Sequence, residues 1–475
     1  MIVMKFGGTS VEDAVAIRRT GSIVAGRAGH KPVVVVSALA KVTDGLLAAA
    51  KLASEGSLPD ALKNLRQLKQ RHLTVLGGLA KGKVEADAKA DLQVHFEAMQ
   101  QVLRGVAALG ELSPRTLDNF VSYGELLSSR IVTAAFQSQG LDAVLVDSRQ
   151  VVVTDDTFTR ALPIFEHTNE RLKEVVKPLV NVGKVPVMGG FIASTEEGIT
   201  TTLGRGGSDF SAAIVGAGLS AKRIEIWTDV EGMMTTDPRM CPQAQRIEAI
   251  GFDEASELAY FGAKVLHPAT LIPAIEKNIP VFVLNSRNPQ SKGTCVRARA
   301  PKSNTPFRAI AAKKNVRVIN VRSPRMLMAH GFLRSLFEIL DRYSVSADLV
   351  STSEVSVSIA FENGRDVNAM IEELKRLGKV EVEDGKAIIC LVGENVRGKV
   401  GMAASVFAAA ARANINLHMI SQGASEINIS FVVEERDVAE AVKQLHKFFF
   451  ESSEERTVLL PVGESKGAKA AVEVA

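Results

Sequence analysis

Two rhythms of apolar residues alternate along the first 285 positions. Short unbroken apolar runs predict strands, among them Ile2-Val3-Met4-Lys5-Phe6, Val33-Val34-Val35-Val36, Ala143-Val144-Leu145-Val146, Val185-Pro186-Val187-Met188, Ile224-Glu225-Ile226-Trp227 and Val281-Phe282-Val283-Leu284. Four consecutive valines demand burial on both faces, which is the habit of strands inside a parallel sheet. Between the runs, apolar residues recur every three or four positions and predict helices over 11–26, 166–180, 210–219 and 252–261. A longer helical stretch over 48–112, polar on one face, predicts a helical hairpin that covers the ligand site. Strand and helix in regular alternation predict a parallel, doubly wound α/β domain.

Beyond 285 the rhythm breaks. Residues 287–306 are rich in Pro, Ser, Asn and basic side chains and read as a linker. An internal repeat follows. Gly331-Phe332-Leu333-Arg334-Ser335-Leu336-Phe337 aligns with Gly401-Met402-Ala403-Ala404-Ser405-Val406-Phe407, and Ser353-Glu354-Val355-Ser356 with Ser425-Glu426-Ile427-Asn428. Each copy has the length and pattern of a βαββαβ unit. The expected organisation is an α/β domain over 1–298, linker and leading strands over 299–322, small domains over 323–390 and 391–461, and a flexible tail over 462–475.

Composition narrows the function classes. Across 475 residues, 46% hydrophobic and 23% charged composition excludes disordered and fibrous classes. A net charge of only +4 with one Trp and three Tyr removes support for nucleic-acid binding. Three scattered cysteines without C-x-x-C spacing imply a reducing compartment and no structural metal. No apolar run approaches the ~18 residues of a membrane span. The start of the chain lacks a basic region followed by a long apolar core. The expectation is a cytoplasmic protein with no membrane partner.

Candidate chemistry gathers at strand ends. Lys5 is a cation inside an apolar strand, which is costly without an anionic partner, and Gly7-Gly8 follows it directly. Ser10 and Asp13 have the spacing of a weak capping box. Ser37 ends the valine strand, where open α/β sheets place ligands. Glu125 sits among apolar residues in Ser122-Tyr123-Gly124-Glu125-Leu126-Leu127. The loop Leu203-Gly204-Arg205-Gly206-Gly207-Ser208-Asp209 combines glycines with a cation and the start of a helix, the ingredients of an anion cradle. Its spacing matches neither G-x-x-x-x-G-K-[ST] nor G-x-G-x-x-G. His72 and His95 read as packing residues.

Five stretches in order carry a family resemblance: Lys5-Phe6-Gly7-Gly8-Thr9-Ser10, Ser122-Tyr123-Gly124-Glu125, residues 200–209, Trp227-Thr228-Asp229-Val230, and Phe261-Gly262-Ala263-Lys264-Val265-Leu266-His267-Pro268. With them the chain resembles the aspartate kinases. These have the amino-acid kinase fold, a three-layer α/β domain, followed by two ferredoxin-like ACT domains. The resemblance implies ATP-dependent phosphorylation of the L-aspartate β-carboxylate, with Mg²⁺ carried by the nucleotide and no metal ligand from the protein. A carboxylate nucleophile is already ionised at neutral pH, so the barrier is charge repulsion, which placed cations and amides reduce.

By that resemblance Lys5, Asp209, Gly8 and Ser37 are catalytic, and Glu125, Arg205, Ser208 and Thr43 hold the acid. Gly7, Gly8, Thr228, Asp229, Met234, Asp237, Arg239 and Lys264 line the ATP site. Met234 stands where relatives commonly have Tyr. The stretches 326–333 and 348–355 resemble the lysine-inhibited branch, and imply effector contacts from Met326, Gly331, Phe332, Leu333, Asp348, Thr352, Ser353 and Glu354. Ala329 replaces a Ser usual there. A homodimer or homotetramer through the ACT domains is the expected assembly. Two other readings are a kinase of another acidic substrate in the same fold and a catalytically silent amino-acid sensor.

Overall fold

The computed structural model describes the chain except residues 263–267, 302, 304, 328, 329, 365, 395, 397–399, 423–426 and 452–475, and the side chains of 268 and 269. It divides into two compact units. The first comprises 1–233, 246–259 and 264–301; the second comprises 234–245, 260–263 and 302–475.

The first unit follows the α/β alternation in order: β1 (Ile2–Phe6), α1 (Ala14–Ala25), β2 (Pro32–Val36), α2 (Val42–Ser54), α3 (Leu58–Gly77), α4 (Gly82–Leu109), α5 (Pro114–Ser138) and β3 (Ala143–Val146). Then come α6 (Phe165–Arg171), α7 (Lys177–Asn181), β4 (Val185–Gly189), β5 (Ile192–Ser194), β6 (Thr200–Thr202), α8 (Gly207–Gly218) and β7 (Ile224–Thr228). It closes with β8 (Ala249–Gly251), α9 (Phe252–Tyr260), α10 (Ile272–Glu276), β9 (Val281–Asn285) and β10 (Thr294–Arg297). The helix expected over 166–180 is interrupted by a wider turn over Leu172–Val176 before α7.

The main sheet runs β3-β4-β2-β1-β7-β9-β10-β8. All its pairings are parallel except β9 with β10. Here β1 is central, flanked by β2 and β7, and every β1 residue is buried. Alternation along β1 decides what each face meets. Ile2, Met4 and Phe6 join the core that packs beneath α1 to α5. Lys5 points to the opposite face of the pleat.

The stretch expected as a helical hairpin forms three helices, α2 to α4, packed against α5, and α3 and α4 give no residue to the cavity described below. His72 is fully buried, its ring edge-on to Phe96 at 5.7 Å, and desolvation pushes its pKa down to about 4. It packs as a neutral side chain. Ser10 and Asp13 do not form the expected capping box. Asp13 caps α1 alone, its Oδ1 accepting from the Ala16 amide at 2.8 Å, while the Ser10 hydroxyl turns inward to Ser286 Oγ at 2.9 Å.

Among the described residues the second unit is one antiparallel sheet with four α-helices. Its elements are β11 (Ala309–Arg322), α11 (Phe332–Arg342), β12 (Leu349–Thr352), β13 (Ser356–Glu362), α12 (Asn368–Leu374), β14 (Lys379–Val392), α13 (Met402–Arg412), β15 (Met419–Ser421), β16 (Asn428–Glu434) and α14 (Val438–His446). The repeat is visible in the backbone: Gly331 and Gly401 adopt φ of 88° and 86° as the caps of α11 and α13. Ser425 and Glu426 of the second copy lie outside the described residues.

The strand order β12-β13-β11-β14-β16-β15 shows how the copies join. Two strands, β11 and β14, are long enough to serve both. Residues 316–322 of β11 pair with β13, while 309–313 pair with 388–392 of β14. The boundary expected between 390 and 391 therefore falls inside β14, and the second copy takes a strand that precedes the first. Residues 234–245 and 260–263, expected within 1–298, group with this unit, and the first unit runs on to Pro301. The tail expected over 462–475 is outside the described residues. Among the described residues no helix is long and apolar enough to cross a membrane.

Phe96 is 0% exposed in α4 and wedges the hairpin onto α5. Truncation to Ala removes that buried ring and leaves a cavity, so Phe96→Ala is expected to cost about 3–5 kcal/mol, read as a lower urea midpoint at unchanged slope.

Candidate active site

The C-terminal ends of β1, β2 and β4 converge on a cavity of about 430 Å³. Its wall includes Lys5, Gly8, Ser37, Thr43, Glu125, Arg205, Ser208 and Asp209. These are all eight residues expected to be catalytic or to hold the acid, brought from positions 5 to 209 into one hollow.

The anion cradle forms through backbone geometry. Gly204 and Gly206 take φ of 72° and 75°, a region that penalises side chains. The two left-handed turns end the loop early, so α8 starts at Gly207 rather than 210. Ser208 and Asp209 thus belong to its first turn, where the helix dipole favours negative charge. A Cβ on Gly204 would stand 3.1 Å from the Thr159 carbonyl, so the loop is pressed onto the turn at 159–160.

Lys5 and Asp209 meet across that geometry. Lys5 Nζ lies 2.6 Å from Asp209 Oδ1, with side chains only 11% and 14% exposed. An isolated ammonium on a central strand would be prohibitive; a carboxylate on the facing helix turn compensates it. The pair holds the ammonium fixed near the C-terminal end of the central strand.

Glu125 occupies the opposite wall. One oxygen, Oε1, accepts the Ala38 amide at 3.1 Å, while Oε2 is buried without a hydrogen-bond partner. Desolvation, opposed by the Ala38 amide and by Lys5, pushes its pKa up to about 8. A buried, unsatisfied carboxylate beside a cavity is primed for a cationic ligand group.

Sequence reasoning missed several members of this site. Lys41 and Asp44, at the start of α2, line the cavity, as does Phe191 after β4. Lys41 and Phe191 hold φ of 65° and 64°, unusual for residues with side chains. The signal for Lys41 was its place just past the valine strand. The signal for Phe191 was its place in the tight turn Gly189-Gly190-Phe191 at the end of β4, where a Cβ on Gly190 would stand 2.8 Å from Ser208 and one on Gly207 2.7 Å from the Phe191 ring.

Asp118 is a further omission. Buried in α5 two turns before Glu125, it accepts from the amides of Thr159 at 2.8 Å and Thr202 at 3.0 Å, and from the Thr202 hydroxyl at 2.6 Å. It therefore locks the 159 turn to β6, the two supports of the glycine loop. Its own pKa is raised by burial against those hydrogen bonds.

The residues expected around ATP are not gathered in this cavity, apart from Gly8. Gly7 lies at the end of β1, its amide bonded to the Trp227 carbonyl at 3.0 Å. Thr228 and Asp229 end β7, joined to each other at 3.2 Å. Met234, Asp237 and Arg239 fall in the second unit, where the Arg239 guanidinium clasps Asp237 at 2.6 Å and holds its carboxyl below the usual range. Lys264 lies outside the described residues.

The effector residues lie on the turns and element ends of the second unit. Met326 closes a short turn over Pro324–Met326, Gly331 caps α11, and Phe332 and Leu333 begin it. Thr352 ends β12, with Ser353 and Glu354 in the turn to β13. Asp348, just ahead of β12, lines a second cavity.

Comparisons with known proteins decide the family. The amino acid kinase family model matches residues 1–285, and an ACT domain model matches 389–449. The chain is 38% identical to lysine-sensitive aspartokinase 3 of Escherichia coli strain K12, over 95% of this chain and 99% of that one. It belongs to the aspartokinases. Aspartokinase 1 of Arabidopsis thaliana, a chloroplastic protein, is 36% identical over 96% of this chain and 82% of its own. The crystal structure of E. coli aspartokinase III with lysine and aspartate, described as a T-state, superposes with a TM-score of 0.81 at 38% identity, covering 95% of this chain and all of that one. The same enzyme with aspartate and ADP, an R-state, gives 0.80 over 94% of this chain and 99% of that one.

In this aspartokinase, Asp118→Ala would leave the Thr159 amide and the buried Thr202 amide and hydroxyl without this acceptor. The expected cost is about 2–4 kcal/mol of stability. A raised KM for the acid, measured below the lowered melting temperature, should accompany it, because the glycine loop loses its support.

Proposed function

We propose that the cavity of about 430 Å³ is where this aspartokinase passes the γ-phosphoryl group of ATP to the β-carboxylate of L-aspartate. The observation that carries the reading is the opposition across one hollow of the Lys5–Asp209 pair and the unsatisfied Glu125 oxygen. Glu125 receives the ammonium of aspartate. Arg205 on the glycine loop takes a carboxylate of aspartate, in the fork geometry suited to it. Lys5, held by Asp209, faces the transferred phosphoryl group and offsets its charge as the acyl phosphate forms. No general base is required, because the nucleophile is already a carboxylate.

Mg²⁺ fits this arrangement as a companion of the nucleotide. Asp209 is committed to Lys5 and Glu125 to the Ala38 amide, so phosphate oxygens supply its main ligands and the ion neutralises their charge. Thr228, Asp229, Asp237, Arg239 and Lys264 are proposed nucleotide contacts on the strength of the family resemblance alone. The same holds for the exact domain boundaries, for assembly through the ACT domains, and for a cytoplasmic location. The E. coli relative is named lysine-sensitive, and its complex with lysine is described as a T-state. We read L-lysine as the effector here too, bound at the ACT domains with Asp348 taking an ammonium.

Hydroxylamine trapping of the acyl phosphate tests the catalytic reading. L-aspartate should support ATP-dependent turnover and L-glutamate should not. Lys5→Ala should remove turnover and leave the fold intact, and near-normal turnover in that variant would sink the assignment. Glu125 adds a pH signature. With its pKa pushed to about 8, the free enzyme carries it protonated below that pH, while the substrate ammonium requires the carboxylate. KM for aspartate should therefore climb as pH falls below about 8, by up to tenfold per unit, and Glu125→Gln should flatten that slope.

A further inference from the structure

The second unit encloses a cavity of about 430 Å³ whose wall includes Tyr260, Lys313, Ser344, Ser346, Asp348 and Glu362. Asp348 stands just ahead of β12, with its side chain 4% exposed. Its Oδ1 accepts from Lys313 Nζ at 2.8 Å and from the Tyr260 hydroxyl at 2.9 Å. Its Oδ2 is buried with no hydrogen-bond partner. Lys313 Nζ also reaches Glu362 Oε2 at 3.6 Å and lies 5.5 Å from the centroid of the Tyr260 ring.

An ammonium between two carboxylates and an aromatic ring is the environment that recognises a primary alkylammonium. Here the occupant is the chain's own Lys313. The carboxylates outnumber it, so Asp348, Glu362 and Lys313 together leave the site with one net negative charge. We propose that this cavity is an ammonium subsite filled from within, and that a cationic amino-acid effector binds by displacing Lys313 from Asp348. The inference rests on the reading of Asp348 as the effector's cation receptor.

Energetics and backbone both suit an exchange. Leaving a buried carboxylate unpaired is expensive, but trading one ammonium for another keeps Asp348 paired throughout. The tethered Lys313 competes at a high effective concentration and therefore weakens the apparent affinity of the free ligand. Lys313 also occupies a special place in β11. The register with β14 shifts between Lys313 and Val316, where the strand passes from one ACT copy to the other. Such irregularities re-aim side chains at little cost. A displaced Lys313 would be released at the joint the two copies share.

Titration calorimetry of the full chain with L-lysine tests this. Lys313→Met should tighten lysine binding about tenfold, equivalent to about 1.4 kcal/mol. Inhibition should set in at correspondingly lower lysine. Lys313→Arg, whose forked guanidinium grips a carboxylate more firmly, should weaken lysine binding, which keeps the test decisive if the Met variant folds poorly. Unchanged affinity in both variants overturns the displacement. Weaker binding by Lys313→Met does so as well, since it would mean that Lys313 holds the effector carboxylate. Lysine binding by Lys313→Met alone, with none by the natural chain, is the extreme form of the expected result. No lysine binding by either protein overturns the effector reading, and this inference with it.

Discussion

The kinase unit depends on one buried ion pair. Lys5 sits on the central strand of a parallel sheet, where an uncompensated charge would undo the fold. Asp209 reaches it from the first turn of α8, a place where the helix dipole already favours an anion. Much of the local architecture serves to bring those two groups within 2.6 Å. Alternation along β1 turns Lys5 away from the α1–α5 core, and two left-handed glycines start α8 early enough to place Asp209 at its third position. An ion pair this enclosed contributes little net stability, because desolvation consumes most of its Coulombic gain. What it supplies is a fixed cation at the mouth of the sheet.

The rest of the site follows from the same economy of buried charge. Glu125 keeps one oxygen on the Ala38 amide and leaves the other bare, a tension that a cationic ligand group would relieve. Asp118, on the same helix, has every need met and in turn holds the turn and strand that support the glycine loop. Two carboxylates on one helix thus divide the work. The satisfied one is structural, and the unsatisfied one faces the cavity.

The second unit shows a comparable logic with its strands. Because β11 and β14 run through both copies of the repeat, neither copy is complete without the other. The shift of register beside Lys313 marks the joint between the copies. Asp348 lies within reach of that joint, so charge recognition and strand sharing occur at one place.

The alternation of strands and helices, the glycine-rich turn and the duplicated module were legible in the chain, since period, turn chemistry and repetition are local properties. The candidates Lys5, Glu125 and Asp209 were legible too, because a charge amid apolar neighbours is conspicuous in one dimension. Tertiary structure alone decided who partners whom. It gave Asp13 the α1 cap and sent Ser10 to Ser286, 276 positions away. It brought Asp118 under the glycine loop, bent Phe191 into the cavity wall, and threaded one strand through two modules. It also assigned 234–245 to the second unit, although those residues lie within the stretch expected to form the first. A sequence records what each residue prefers. Burial and hydrogen-bond satisfaction are settled between residues far apart in the chain, so only the folded molecule records which preferences are met.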